Sequence, residues 1–214
     1  MSLKVGIVGA AGYAGAELIR LVLGHPEFEL VAITSNADAG QPLSAVYPSF
    51  TGVSDLVFTT HDAPELKNCD AVFLAVPHTA AMAQVPALLA AGVSCIDLSA
   101  DYRLSDPATF EAWYAAEHTS PELLKTRAFG LPELFSQDLE TAASDHADGK
   151  PVLVACAGCY PTATSLAAAP AVRAGWVAQS GPVIVDAISG VTGAGKSCNA
   201  RTHFCSADEN LEAY

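Results

Sequence analysis

The segment LKVGIVGAAGYAGAELIRLVL, residues 3–23, decides the fold. Leu3–Val8 is a short apolar run and Gly9–Gly15 is rich in glycine. Ala14, Leu18, Leu21 and Val22 then recur at helical spacing until Gly24-His25-Pro26. Strand, glycine turn and helix in direct succession open a parallel α/β unit. From Gly9 the pattern is G-x-x-G-x-x-G, one residue away from G-x-G-x-x-G. Gly9 permits the tight turn, Gly12 lets backbone approach a pyrophosphate, and Gly15 lets the helix pack closely on the sheet. The helix N-terminus then faces the phosphates. Gly9, Ala11, Gly12, Tyr13, Ala14 and Gly15 are therefore expected to bind a dinucleotide. Lys4 ahead of an apolar run also resembles a secretory signal, but the helical period that follows favours strand and turn, and a cytoplasmic location is expected.

Working outward, Leu30–Thr34 reads as a second strand, Ala71–Val76 as a third ended by Pro77, and Val93–Leu98 as a fourth. A helix is expected over Ala80–Ala91, closed by Gly92, with Pro86 kinking it or marking a restart. Repeated strand and helix imply a parallel sheet with helices on its faces, and continuous apolar strands fit burial on both sides. From about Asp101 to Lys150 aromatics mix with charges and prolines, and Asp138–Lys150 reads as an exposed helix and loop. A further strand is expected at Pro151–Ala155, an Ala-rich helix from GCYPT (158–162) to about Ala174, and another strand at Val183–Ile188. The division expected is residues 1–150 and 151–214.

The chain has 214 residues, of which 51% are hydrophobic, and disorder is excluded. Ten Lys+Arg against 23 Asp+Glu give a net charge of −13. So acidic a surface repels a phosphodiester backbone and an anionic membrane, and no nucleic-acid or membrane partner is expected. A small anion remains compatible, because a few backbone N–H groups can outweigh net charge locally. A chain this large needs no disulfide staples, so most of the six cysteines are expected to be buried and reduced.

An NAD site usually ends its second strand with a carboxylate that holds the ribose hydroxyls. Here that position is Thr34-Ser35-Asn36, whose hydroxyl and amide groups suit a 2′-phosphate, so NADP is preferred. Cys159 lies between a strand and a helix with Pro161 near its start. There the helix dipole favours thiolate, and the same N–H groups can stabilise an oxyanion. That is the setting of a nucleophile. Cys156 and Cys159 also form a CxxC, but no second CxxC exists and no metal site is expected. Gly190–Ser197 matches the phosphate loop G-x-x-x-x-G-K-[ST] in full. An NTPase domain would need further strands and a metal-supporting acid, so the match is read as coincidence.

Together GAAGYAGAEL (9–18), FLAVPH (73–78), DLSADYRL (97–104), FGLPEL (129–134), GCYPTAT (158–164) and SGVTGAGK (189–196) resemble the N-acetyl-γ-glutamyl-phosphate reductase family, relatives of aspartate-semialdehyde dehydrogenase. The resemblance implies a Rossmann-type parallel sheet domain binding NADP, followed by part of an α/β catalytic and dimerisation domain, in a dimer or tetramer. It implies that Cys159 attacks the acyl phosphate of N-acetyl-glutamyl 5-phosphate and that hydride from NADPH yields the 5-semialdehyde. It also implies cofactor contacts from Pro77, His78, Ser189 and Gly190. Substrate contacts are implied from Ser99, Arg103, Gly158, Tyr160, Lys196 and Tyr214, with Asp97 beside them. The chain departs from the family in having Cys156-Ala157 where Asn-Pro is usual. The family's acid/base histidine lies just beyond the EAY of 212–214, and His25, His61, His78, His118, His146 and His203 do not occupy its motif. Roughly the N-terminal two-thirds of a member is therefore expected, binding NADP and turning over poorly. The alternatives are the aminoadipyl version of the reaction and a non-catalytic NADP-binding module.

Overall fold

The computed structural model describes residues 2–178 and 180–213. Its strands are β1 (Leu3–Val8), β2 (Phe28–Thr34), β3 (Ala71–Leu74), β4 (Ser94–Asp97), β5 (Ala128–Gly130) and β6 (Leu153–Cys156). Its helices are α1 (Tyr13–Leu23), α2 (Leu43–Val46), α3 (Val85–Ala90), α4 (Pro107–Tyr114), α5 (Pro132–Ala147), α6 (Cys159–Arg173) and α7 (Phe204–Ala207). All six strands form one sheet in the order β2-β1-β3-β4-β6-β5, and every pairing is parallel.

Alternation along β1 divides the core. Val5 and Ile7 face Ile19 and Val22 of α1. Val8 faces the other way, into a layer with Leu74, Val85 and Leu88 of α3, and Phe110 of α4. With helices on both faces, the strands need apolar side chains on both sides, which explains their unbroken apolar runs. β1 has β2 on one side and β3 on the other, so the chain changes direction across the sheet between β1 and β3. Open α/β sheets bind ligands at the C-terminal ends of such strands. There the Ala10 N–H donates to the Thr34 carbonyl at 2.9 Å, and the Ala75 N–H donates to the Val8 carbonyl at 2.8 Å.

The structure corrects several expectations. The helix expected from Ala80 begins only at Val85, with Pro86 in its first turn. The reason is Asp101, whose carboxylate accepts the N–H groups of Thr79 (2.6 Å) and Met82 (2.9 Å) and holds that stretch in turns. β5 was not foreseen, and α5 starts at Pro132, with a kink at Phe135, rather than near Asp138. β6 pairs with β4 and β5, so the sheet runs on through Cys156. Val183–Ile188 forms no strand: among the described residues no segment pairs with it, and Ile184 and Ile188 are 82% and 81% exposed. Only Cys69 and Cys95 are buried, Cys156 is half-buried, and Cys159, Cys198 and Cys205 are exposed. Cys198 and Cys205 lie in the stretch after α6, where no second layer covers the chain among the described residues.

Candidate active site

Each glycine of the turn after β1 has its own reason. Gly9 has φ +79°, and a Cβ there would lie 2.3 Å from the Ala75 carbonyl oxygen. A Cβ on Gly15 would lie 2.4 Å from the Gly9 carbonyl oxygen, so this position lets α1 sit against the turn. Gly12 differs. Its φ is −79°, and a Cβ there would meet nothing nearer than the Gly9 oxygen at 3.6 Å. The fold does not require glycine at Gly12, and the space above it is open. α1 starts at Tyr13 with no side-chain cap and no acidic residue in its first turn. A bare backbone surface before an uncapped helix N-terminus fits a phosphate group, so the residues present fit a dinucleotide. The Tyr47 hydroxyl holds the turn from below, donating to the Ala11 carbonyl at 2.7 Å and the Gly12 carbonyl at 3.3 Å. Burial raises its pKa, which keeps it a donor.

At the end of β2, Thr34 is buried, with its Oγ1 2.7 Å from His61 Nδ1. The Asn36 side-chain oxygen accepts the His61 N–H at 2.9 Å. Burial lowers the His61 pKa, with Asp62 pulling the other way. Ser35 donates its hydroxyl to Asp38 at 2.7 Å. Sequence reading stopped at Asn36 and missed this carboxylate; the Ser35-x-x-Asp38 spacing, a local side-chain turn, was the available signal. Pro77 and His78 follow β3 and are exposed, with the His78 ring edge-on to Tyr114 at 5.3 Å.

β6 ends at Cys156 and α6 begins at Cys159, with Gly158 at the cap position. Cys159 therefore sits exposed in the first turn of a 15-residue helix. It lines a cavity of about 530 Å³ with Tyr160, Ala163, Asp186, Ser189 and Gly190, so the fold brings the start of α6 and the segment 185–190 together. Cys156 is a different thiol: burial, with Asp97 nearby, pushes it up to about 11, with Arg103 opposing.

Among the described residues Arg103 forms no ion pair. Its Nε donates to the Cys156 carbonyl at 2.9 Å and its Nη2 to the Leu98 carbonyl at 2.7 Å. A Cβ on Gly158 would lie 3.0 Å from its Nη1. The guanidinium thus ties the end of β4 to the loop that carries Cys159. Ser99 is 2% exposed, donates to Asp97 at 2.9 Å and accepts the Asp101 N–H at 3.1 Å. Its hydroxyl faces the interior and braces this segment. Asp97 is buried, and desolvation raises its pKa from 3.8 to about 6 against the lowering effect of the Ser99 hydrogen bonds. Arg127 completes the bracing by donating to the carbonyls of Tyr102 and Arg103.

The loop after Gly190 holds a 3-10 turn, Val191–Ala194, and neither a strand before it nor a helix at Lys196. The strand–loop–helix frame of a nucleotide triphosphate loop is therefore missing. Lys196 stands at the first glycine turn, with its Nζ 3.3 Å from the Ala11 carbonyl oxygen, instead of in the cavity of Cys159. Tyr214, also expected at the substrate, lies outside the described residues. No helix among the described residues is long and apolar enough to cross a membrane.

Residues 4–142 match the family model described as semialdehyde dehydrogenase, NAD binding domain. Residues 159–214 match the semialdehyde dehydrogenase dimerisation domain. The chain is 47% identical over 212 residues to the N-acetyl-gamma-glutamyl-phosphate reductase of Herminiimonas arsenicoxydans, covering 99% of this chain and 59% of that protein. It is 45% identical over 214 residues to the protein of that name from Symbiobacterium thermophilum, again covering 59% of it. The chain thus spans about three-fifths of the length of the curated relatives it matches. Among solved structures, aspartate semialdehyde dehydrogenase with NADP from Candida albicans superposes with a TM-score of 0.60 at 19% identity, covering 81% of this chain and 48% of that one. That likeness shows the fold. On the matched models, which take in the glycine turn and Cys159 alike, the chain belongs to the semialdehyde dehydrogenase family.

Proposed function

We propose that the chain serves the NADPH-dependent reduction of N-acetyl-glutamyl 5-phosphate to N-acetyl-glutamate 5-semialdehyde and phosphate, in arginine biosynthesis. The observation that carries this reading is an exposed cysteine opening α6, in one cavity with Ser189 and Gly190. The chain holding it is 47% identical to a reductase of that name. The names of the relatives favour the glutamyl substrate over the aminoadipyl one.

In this reading the Cys159 sulfur attacks the acyl carbon, the carbon–oxygen bond to phosphate breaks, and phosphate leaves with its electron pair. A thioester on Cys159 results. The first-turn amides of α6 stabilise the oxyanion of the addition step. When bound, the dinucleotide would supply hydride to the thioester carbonyl, and the hemithioacetal on Cys159 would then collapse to aldehyde and thiol. Arg103 holds the Cys156 carbonyl and so keeps the loop in register for attack. Gly12 and the N-terminus of α1 would hold a phosphate of the dinucleotide, and Ser35 and Asn36 at the end of β2, with buried Thr34 bracing them through His61, would hold its adenosine ribose. The cofactor unit runs through β6, and a catalytic and dimerising unit starts at Cys159. The active form is a homo-oligomer in the cytoplasm.

The test is reduction of NADP+ by N-acetyl-glutamate 5-semialdehyde with and without inorganic phosphate, in the chain and in Cys159→Ala. A slow reduction that needs both phosphate and Cys159 is expected. Reduction indifferent to phosphate, or kept in Cys159→Ala, overturns the reading, as does failure of the chain to bind NADPH.

A further inference from the structure

Lys196 is separated from the first glycine turn by 185 residues, yet its Nζ lies 3.3 Å from the Ala11 carbonyl oxygen. It also lies 5.0 Å from the centre of the Tyr47 ring, the side chain that holds the turn in place. The chain carries only 10 Lys+Arg against 23 Asp+Glu, so the position of each cation matters. Arg20, Lys150 and Arg201 pair with carboxylates, and Arg103 and Arg127 hold backbone carbonyls. Lys196 forms no ion pair among the described residues. The nearby end of α1 is the positive end of its dipole, where a second positive group is unfavourable. One carbonyl and a ring face offset part of this. An anion between the ammonium and the α1 amides turns both contributions favourable at once.

The space for that anion exists. A cavity of about 280 Å³ is lined by Tyr13, the first residue of α1, and by Lys196, Asn199, Thr202 and His203. Tyr13 in its wall directly follows Gly12, where a Cβ would meet nothing nearer than the Gly9 oxygen at 3.6 Å. Glycines shape the loop before the lysine: Gly195 just before it has φ +87°, and a Cβ on Gly193 would lie 2.5 Å from the Ser189 Oγ. The same loop holds Ser189 and Gly190 in the cavity of Cys159. It therefore spans from the cysteine to the glycine turn.

We infer that Lys196 is a cofactor-phosphate ligand, closing the loop 189–197 over the dinucleotide so that its far end meets Cys159. This rests on the dinucleotide reading of the turn and moves Lys196 from the substrate, where sequence reading put it, to the cofactor. The ammonium and the amides of α1 hold one phosphate from opposite sides, and phosphate binding draws Ser189 and Gly190 toward the cysteine.

NADPH affinity of the full chain is measured by fluorescence titration at low and high salt for the wild type, Lys196→Gln and Lys196→Arg. Lys196→Gln is expected to bind about tenfold more weakly, with a flatter salt dependence, and Lys196→Arg to stay within about threefold. A second readout uses the wild type alone: NADPH should protect Lys196 from an amine-reactive reagent, scored by peptide mass against Lys67 and Lys125. Equal affinity and salt dependence in Lys196→Gln, or wild-type binding that leaves Lys196 reactive, overturns the inference and leaves the lysine a docking contact. Absence of NADPH binding in the wild type overturns the dinucleotide reading itself.

Discussion

Gly12 and Gly15 are three residues apart and make opposite predictions. An alanine at Gly15 would lie 2.4 Å from the Gly9 oxygen, which is backbone and cannot yield cheaply. Gly15→Ala should cost about 1–3 kcal/mol in urea unfolding. An alanine at Gly12 meets only an ordinary contact at 3.6 Å, so its stability should move by less than about 0.5 kcal/mol while NADPH binding weakens. Equal effects of the two on stability would remove the case for a ligand over Gly12. Asp97 makes a prediction in pH. Its folded pKa of about 6 stands above the ordinary 3.8, so the fold favours the protonated form. Its contribution is therefore present at the acid end and lost as pH rises through that window. Asp97→Asn should remove a fall in stability on the order of 3 kcal/mol across the window, read as the difference between the two unfolding profiles. An unchanged profile would mean that burial does not act on Asp97 as described. Asp38 accepts the Ser35 hydroxyl at the end of β2, beside the expected ribose site. Asp38→Asn should shift preference further from NADH toward NADPH, measured as the ratio of the two affinities; a shift toward NADH would place the ribose elsewhere.

At the scale of elements, β1, the glycine turn and α1 were legible because each rests on local rules: an apolar run, turn geometry and a 3.6-residue period. β5 was not, because Ala128–Gly130 is three residues long and is a strand only through its pairing with β6. The short α3 escaped for a related reason, since the donors of Thr79 and Met82 go to a carboxylate 22 and 19 residues away. Val183–Ile188 failed in the opposite sense, with strand-like residues and no paired neighbour among those described. In the candidate site, Cys159 and the glycines were legible as residue types in a local frame. The work of Arg103 was not, because its partners, the carbonyls of Leu98 and Cys156, are backbone atoms with no signature in sequence. Arg103→Lys keeps the charge and loses the planar fork. It should slow alkylation of Cys159 by iodoacetamide less than Arg103→Gln does, while both lower kcat more than they raise KM. A rise in KM with kcat intact would instead make Arg103 a substrate anchor.

The whole molecule is uneven. Up to β6 it has two core layers, whereas after α6 large side chains stand open: Trp176 at 83%, Ile184 at 82%, Leu211 at 79% and Phe204 at 74%. Apolar surface on that scale calls for a partner, and residues 159–214 match a dimerisation domain. Sedimentation should find the chain self-associated, and Ile184→Lys should shift it toward monomer; a wild type that stays monomeric at tens of micromolar would contradict this. The central claim concerns one sulfur, and it is tested most directly by acylation. The chain is mixed with N-acetyl-glutamyl 5-phosphate in the absence of NADPH, quenched in acid and mapped by peptide mass. One N-acetyl-glutamyl group on Cys159 is expected, with one phosphate released per adduct, while Cys69, Cys95 and Cys156 stay unmodified, as burial has pushed their thiols up to about 11, 12 and 11. Phosphate release without an adduct, or an adduct carried by Cys198 or Cys205 and unchanged in Cys159→Ala, would contradict it.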